Sequence, residues 1–120
     1  MLSKWLAALF LAVCSTHALA ADRIERMEPV SWWVGMQDPR LQLMVHGTLI
    51  AELEPTLDHP GVKVTGVHRV ANPNYLFVDL EIAPETRPGP VRIDFRKGGR
   101  EVARRDYLLK AREPGSAQRR

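Results

Sequence analysis

Leu76-Phe77-Val78-Asp79-Leu80-Glu81-Ile82 decides the fold. Its large aliphatic residues fall on every second position. That period places Leu76, Val78, Leu80 and Ile82 on one side of an extended chain and Phe77, Asp79 and Glu81 on the other. The same rhythm recurs on both sides of this stretch. Leu41, Leu43 and Val45 alternate with Gln42, Met44 and His46; Val91, Ile93 and Phe95 with Arg92, Asp94 and Arg96; Tyr107 and Leu109 with Asp106, Leu108 and Lys110. Strands with one apolar and one polar side belong to antiparallel sheets that cover a core on one face. No window sustains a helical stripe of useful length.

Turn chemistry separates the runs. Gln37-Asp38-Pro39 precedes the Leu41 run. Asp58-His59-Pro60-Gly61 and Ala71-Asn72-Pro73-Asn74 bracket a strand from about Val62 to Val70. Ala83 to Pro90 forms a longer turn with three prolines. Lys97-Gly98-Gly99-Arg100 joins Val91–Arg96 to Glu101–Leu109, with glycine supplying the positive φ of a tight hairpin. About six to eight short strands at this spacing predict an all-β fold, an immunoglobulin-like antiparallel β-sandwich. The Cys…Trp…Cys spacing of antibody domains is absent, so the prediction rests on pattern.

The N-terminus reads as an address. Lys4 precedes an apolar run from Leu6 to Val13, and Ala18-Leu19-Ala20 offers a small-x-small cleavage site. This is a secretory signal peptide over 1–20, too short to span a bilayer as a helix. Cleavage after Ala20 discards Cys14, the single cysteine, so the hydrophobic core must hold the fold without a disulfide. The destination is periplasmic or secreted, with no membrane attachment after cleavage. The sandwich is assigned to 21–110. Residues 111–120, Ala111-Arg112-Glu113-Pro114-Gly115-Ser116-Ala117-Gln118-Arg119-Arg120, have linker composition.

Composition narrows the function. The 120 residues are 45% hydrophobic and 26% charged with net charge +3, which suits one soluble domain. Basic residues cluster only as short pairs, such as Arg96-Lys97 and Arg104-Arg105. They form no stripe with interleaved aromatics, so nucleic acid is not an expected partner. Asp79, Glu81 and Asp94 are the carboxylates available for acid/base work on a sugar, but their alternation puts them on solvated strand faces. His46, His59 and His68 lack metal-ligand spacing, and no metal or cofactor is expected. Ser31 and Ser116 lack the setting of a nucleophile, and no phosphate-binding loop is present. No catalytic residue is assigned.

The aromatic residues carry the candidate site. Trp32 and Trp33 are adjacent, so in a strand one indole enters the core and the other points out. An outward Trp meets a partner: another protein surface, or the C–H face of a sugar. Tyr75, after Asn72-Pro73-Asn74, is a second candidate contact. Trp32, Trp33 and Tyr75 are therefore the candidate substrate-binding residues, the Trp pair as packing anchors first. An exposed apolar patch near the Trp pair or the C-terminal strand is expected.

Ile24-Glu25-Arg26-Met27-Glu28-Pro29-Val30-Ser31-Trp32-Trp33-Val34-Gly35-Met36, then Pro39-x-Leu41-Gln42-Leu43-Met44-Val45-His46-Gly47, resembles the N-terminal domain of cyclomaltodextrinases and neopullulanases. Asn72-Pro73-Asn74-Tyr75-Leu76-Phe77 and the segment from Ala111 to Arg119 share the likeness. Those enzymes belong to the α-amylase family, glycoside hydrolase family 13. The resemblance implies an immunoglobulin-like sandwich preceding a (β/α)8 catalytic barrel that cleaves α-glucosidic bonds. It implies a non-catalytic accessory role in barrel packing, dimerisation with a neighbouring subunit and glucan contact. The family's catalytic carboxylates sit on the barrel. A barrel needs about 250 residues, so none is carried over to this chain. The alternative reading is a free-standing carbohydrate-binding module for α-glucans.

Overall fold

A computed structural model describes residues 23–112. The segment read as a signal peptide, 1–20, and residues 113–120 of the segment read as a linker lie outside the described residues. Eight strands run in order: β1 Ile24–Glu28, β2 Ser31–Trp33, β3 Arg40–Gly47, β4 Glu54–Thr56, β5 Val62–Arg69, β6 Tyr75–Ile82, β7 Gly89–Lys97 and β8 Arg100–Lys110. One 3-10 turn, Ile50–Glu52, leads into β4. The strands form two four-stranded sheets, ordered β1-β3-β6-β5 and β2-β8-β7-β4. The all-β expectation holds, as a β-sandwich.

Alternation sets which side of each strand is buried. In β6 the aliphatic set is buried, while Tyr75, Phe77, Asp79 and Glu81 are half-buried on the outer face. The central pairs follow the same logic. Leu43 lies opposite Val78 in the β3–β6 ladder, and Phe95 opposite Ala103 in the β7–β8 ladder. These inward residues join one core with Ile24, Ile50, Leu53, Val91, Ile93, Tyr107 and Leu109. A one-residue slip in any ladder would turn its whole aliphatic set to water, so burial fixes the register.

Three features were not in the sequence reading. The strand after Gly61 ends at Arg69 and carries a bulge between Val64 and Gly66. The short β4, with Pro55 at its centre, sits on a sheet edge, where the missing N–H costs no ladder bond. The segment around the Trp pair divides into two strands that belong to different sheets. β1 pairs antiparallel with β3, and after Pro29 the chain crosses so that β2 pairs in parallel with β8. The buried Tyr107 hydroxyl donates to the Pro29 carbonyl at 2.8 Å and fixes the crossing to β8. Beyond β2, the Val34 N–H donates to the Lys110 carbonyl at 3.0 Å, and Arg112 donates to the Gly35 carbonyl at 2.9 Å. Residues 31–35 and the end of β8 are thereby held side by side.

Candidate functional site

The parallel β2–β8 register decides where each indole goes. Trp32 is opposite Leu109, whose side chain is buried, and Trp33 is opposite Lys110, which is exposed. Trp32 packs, half-buried, against the core, and Trp33 is 36% exposed. The expected split, one indole inward and one outward, is what the fold contains. The two rings meet at 5.4 Å between centroids with a 58° tilt. Lys110 places its ammonium 4.7 Å from the Trp33 ring centre, a cation–π contact. Trp33 thus has Trp32 on one flank and Lys110 over its ring.

Apolar neighbours extend this edge. Val30 is 81% exposed and Leu108, opposite Ser31, is 46% exposed. Pro90 faces out beside Leu108 on β7. Of the five large hydrophobic residues exposed among the described residues, Val30, Trp33 and Leu108 lie on or beside this edge. The register sets Leu108 opposite Ser31, two positions from Trp33 on the same side of the sheet, and Val30 immediately precedes β2. Leu108, Lys110 and Val30 were not among the sequence candidates. The alternation placed Leu108 outward, but the parallel pairing that brings it beside the Trp pair leaves no signal in the sequence.

Tyr75 is elsewhere. It opens β6 on the outer face of the other sheet, half-buried, with its ring 4.7 Å from that of His46. The three aromatic candidates therefore do not form one site: the Trp pair lies on the β2–β8 sheet and Tyr75 on the β3–β6 sheet. The carboxylates divide the same way. Asp79 and Glu81 share the outer face with Tyr75, whereas Asp94 lies on the opposite sheet, 3.1 Å from Arg92 Nε.

Asp79 has the most elaborate surroundings. Its Oδ1 accepts from Gln42 Nε2 at 2.8 Å, and its Oδ2 lies 2.6 Å from His68 Nε2. The His68 hydrogen bond, seconded by Gln42, holds the Asp79 carboxyl below the usual carboxylate range. The histidines serve separate neighbourhoods. His46 Nδ1 lies 3.1 Å from Glu25 Oε1 without a hydrogen bond between them. His59 Nδ1 accepts the Gly61 N–H at 2.9 Å. Among the described residues no group of three or more His, Cys, Asp or Glu side chains is placed to hold a metal ion. A concavity of about 380 Å³ opens at one end of the sandwich between Met36, Pro39, Pro60, Ile82 and Pro84. Its charged rim residues, Lys63 and Glu81, face each other across the β5–β6 ladder.

The comparison with protein families adds one finding. A family model described as "Cyclomaltodextrinase, N-terminal" matches residues 26–113. The match spans every strand from β2 to β8 and most of β1.

Proposed function

The chain belongs to the cyclomaltodextrinase N-terminal domain family, and from that premise we propose that it is the non-catalytic accessory domain of an exported glycoside hydrolase of the α-amylase family, acting on starch or maltodextrin. Its role is contact. The β2–β8 edge packs against a catalytic (β/α)8 barrel or a neighbouring subunit, with Trp33 as anchor. One observation carries this reading: Val30, Trp33 and Leu108 are exposed together on the edge where Arg112 holds the outgoing chain beside Gly35. Arg112 itself lies two residues beyond Lys110, close to exposed apolar side chains that water solvates poorly. The strand orders support the immunoglobulin-like assignment. They correspond to the ABED and GFC sheets of constant-type domains, with β2 as an additional strand beside the last one. The signal segment supports export to the periplasm or beyond.

The test is a capture experiment. A cyclomaltodextrinase barrel expressed without its own N-terminal domain is passed over immobilised residues 21–120. Saturable binding is expected, weakened at least about tenfold by Trp33→Ala or Leu108→Ser, in keeping with a central aromatic anchor. A barrel that ignores the folded domain would refute the role. Incubation of the chain alone with cyclomaltoheptaose is expected to release no reducing sugar.

A further inference from the structure

The outer face of the β1-β3-β6-β5 sheet carries a polar depression unrelated to the Trp edge. It measures about 330 Å³ and is lined by Asp38, Arg40, Gln42, Thr65 and Asp79 over Leu41 and Leu80. Its origin is the β5 bulge, which sets Gly66 opposite Asp79 in the ladder. A Cβ on Gly66 would stand 3.1 Å from Asp79 Oδ2. The absent side chain and the bulge together leave the carboxylate accessible.

From this geometry we propose that the depression is a hexose-binding site. The lining is a set of planar polar groups with capacity to spare. Asp79 uses one contact on each oxygen, to Gln42 and His68, and each carboxylate oxygen has a further lone pair. Gln42 keeps its amide oxygen and one N–H. Arg40 is held by Asp38 through Nε and Nη2, at 3.0 and 3.1 Å, which leaves Nη1 to donate. Thr65 adds a hydroxyl. Fixed donors and acceptors side by side match the vicinal hydroxyls of a sugar, each of which both donates and accepts.

The charged groups of the depression are already engaged with one another or with polar neighbours. Asp38 is matched by Arg40, which leaves the Asp79 carboxylate as the acceptor in the depression, fixed by Gln42 and His68. Phe77 and the 56% exposed His68 lie opposite each other in the ladder, beside Asp79. Phe77 shares the outer face of β6 with Asp79, two positions away, and lies beside the depression and not in its lining. The choice of an α-linked glucose unit rests on the reading of the chain as part of a glucan-degrading enzyme. The site itself does not rest on it.

Residues 21–120 labelled with nitrogen-15 are titrated with maltoheptaose, following backbone amide shifts. Saturable shifts centred on Gln42, Thr65, Gly66 and Asp79 are expected. Gln42→Ala, on the exposed face, and Gly66→Ala, which fills the depression without removing a polar group, each weaken binding at least about tenfold, the loss of one well-placed polar interaction or more. Trp33→Ala leaves it unchanged. Amide dispersion confirms that each variant is folded. No saturable shift in the folded domain overturns the site. So does binding abolished by Trp33→Ala and retained in Gln42→Ala. Neither result bears on capture of the barrel, which is measured separately.

Discussion

Replacing Tyr107 by Phe isolates the bond that holds the sheet crossing in place. The ring is 3% exposed and packs in the core, and its hydroxyl is the donor to the Pro29 carbonyl at 2.8 Å. Phe keeps the packing and removes the hydroxyl. A net hydrogen bond contributes about 1 kcal/mol, and the half-buried Pro29 carbonyl loses a partner that water only partly replaces. The expected cost is about 1–2 kcal/mol. For a domain of this size each kcal/mol moves the melting midpoint by about 4–8 °C, which gives a fall of about 4–16 °C.

The same substitution has a signature in alkali. Burial pushes the Tyr107 phenol well above its ordinary value. The folded state thus retains a proton that the unfolded chain gives up near pH 10. With more protons bound in the folded state, stability falls as pH rises through that region. Urea midpoints of residues 21–120, followed by tryptophan fluorescence from pH 7 to 11, read both effects. The wild type should lose stability above about pH 10 more steeply than Tyr107→Phe. Equal midpoints at pH 7 would show that the crossing does not depend on the hydroxyl. Parallel alkaline limbs would show that the phenol is not shielded.

Two other perturbations test the frame and the polar face. In Gly47→Ala the new methyl would fall 2.1 Å from the Arg23 carbonyl oxygen and 3.0 Å from Ile24 Cα, both backbone atoms of the segment that forms β1. Overpacking against backbone costs about 3 kcal/mol, so urea denaturation should show a midpoint reduced accordingly, and an unchanged one would mean that β1 is not seated on Gly47. Asp79 has a depressed folded pKa, so its stabilisation is present above the unfolded carboxylate value near 3.9 and is lost as pH falls through the folded one. Asp79→Asn should be less stable at neutral pH and less sensitive to acid below about pH 4, as read by acid titration of the fluorescence.

Much of this architecture is written in local pattern. β3, β6, β7 and β8 each declare themselves by alternation, because one face of each covers the core and the other meets water. The Lys97–Arg100 hairpin is legible because Gly98 and Gly99 both require positive φ, at 60° and 80°. β2 and β4 are only three residues long, too short for a period to register. Their places depend on long-range partners, β8 and β7. The candidate site was legible to the same depth. Adjacency alone gives the inward and outward indoles, whereas Lys110 over Trp33 follows from the β2–β8 register. The Gln42, Asp79 and His68 cluster joins three strands whose alignment a single sequence does not state. The separation of Tyr75 from the Trp pair is likewise a matter of sheet membership, set by the crossing at Pro29.

That crossing also bears on what Trp33 is suited to do. A pyranose stacks on an indole only where a ring face is open. Trp32 flanks Trp33, and Lys110 stands over the ring. Displacing an exposed cation–π contact costs about 0.5–1 kcal/mol, a large fraction of what a single sugar contact returns. A protein surface faces no such conflict. It can cover the free edge of the indole with Val30 and Leu108 and leave Lys110 at the rim, where a charged group tolerates partial hydration. The opposite sheet presents the reverse balance: few fully exposed apolar groups, and polar groups already aimed and partly satisfied. Two surfaces with such different chemistry, on opposite sides of a domain with a single core, are suited to different partners. The Trp edge fits a neighbouring protein, and the Asp79 face fits a neutral, hydroxyl-rich ligand.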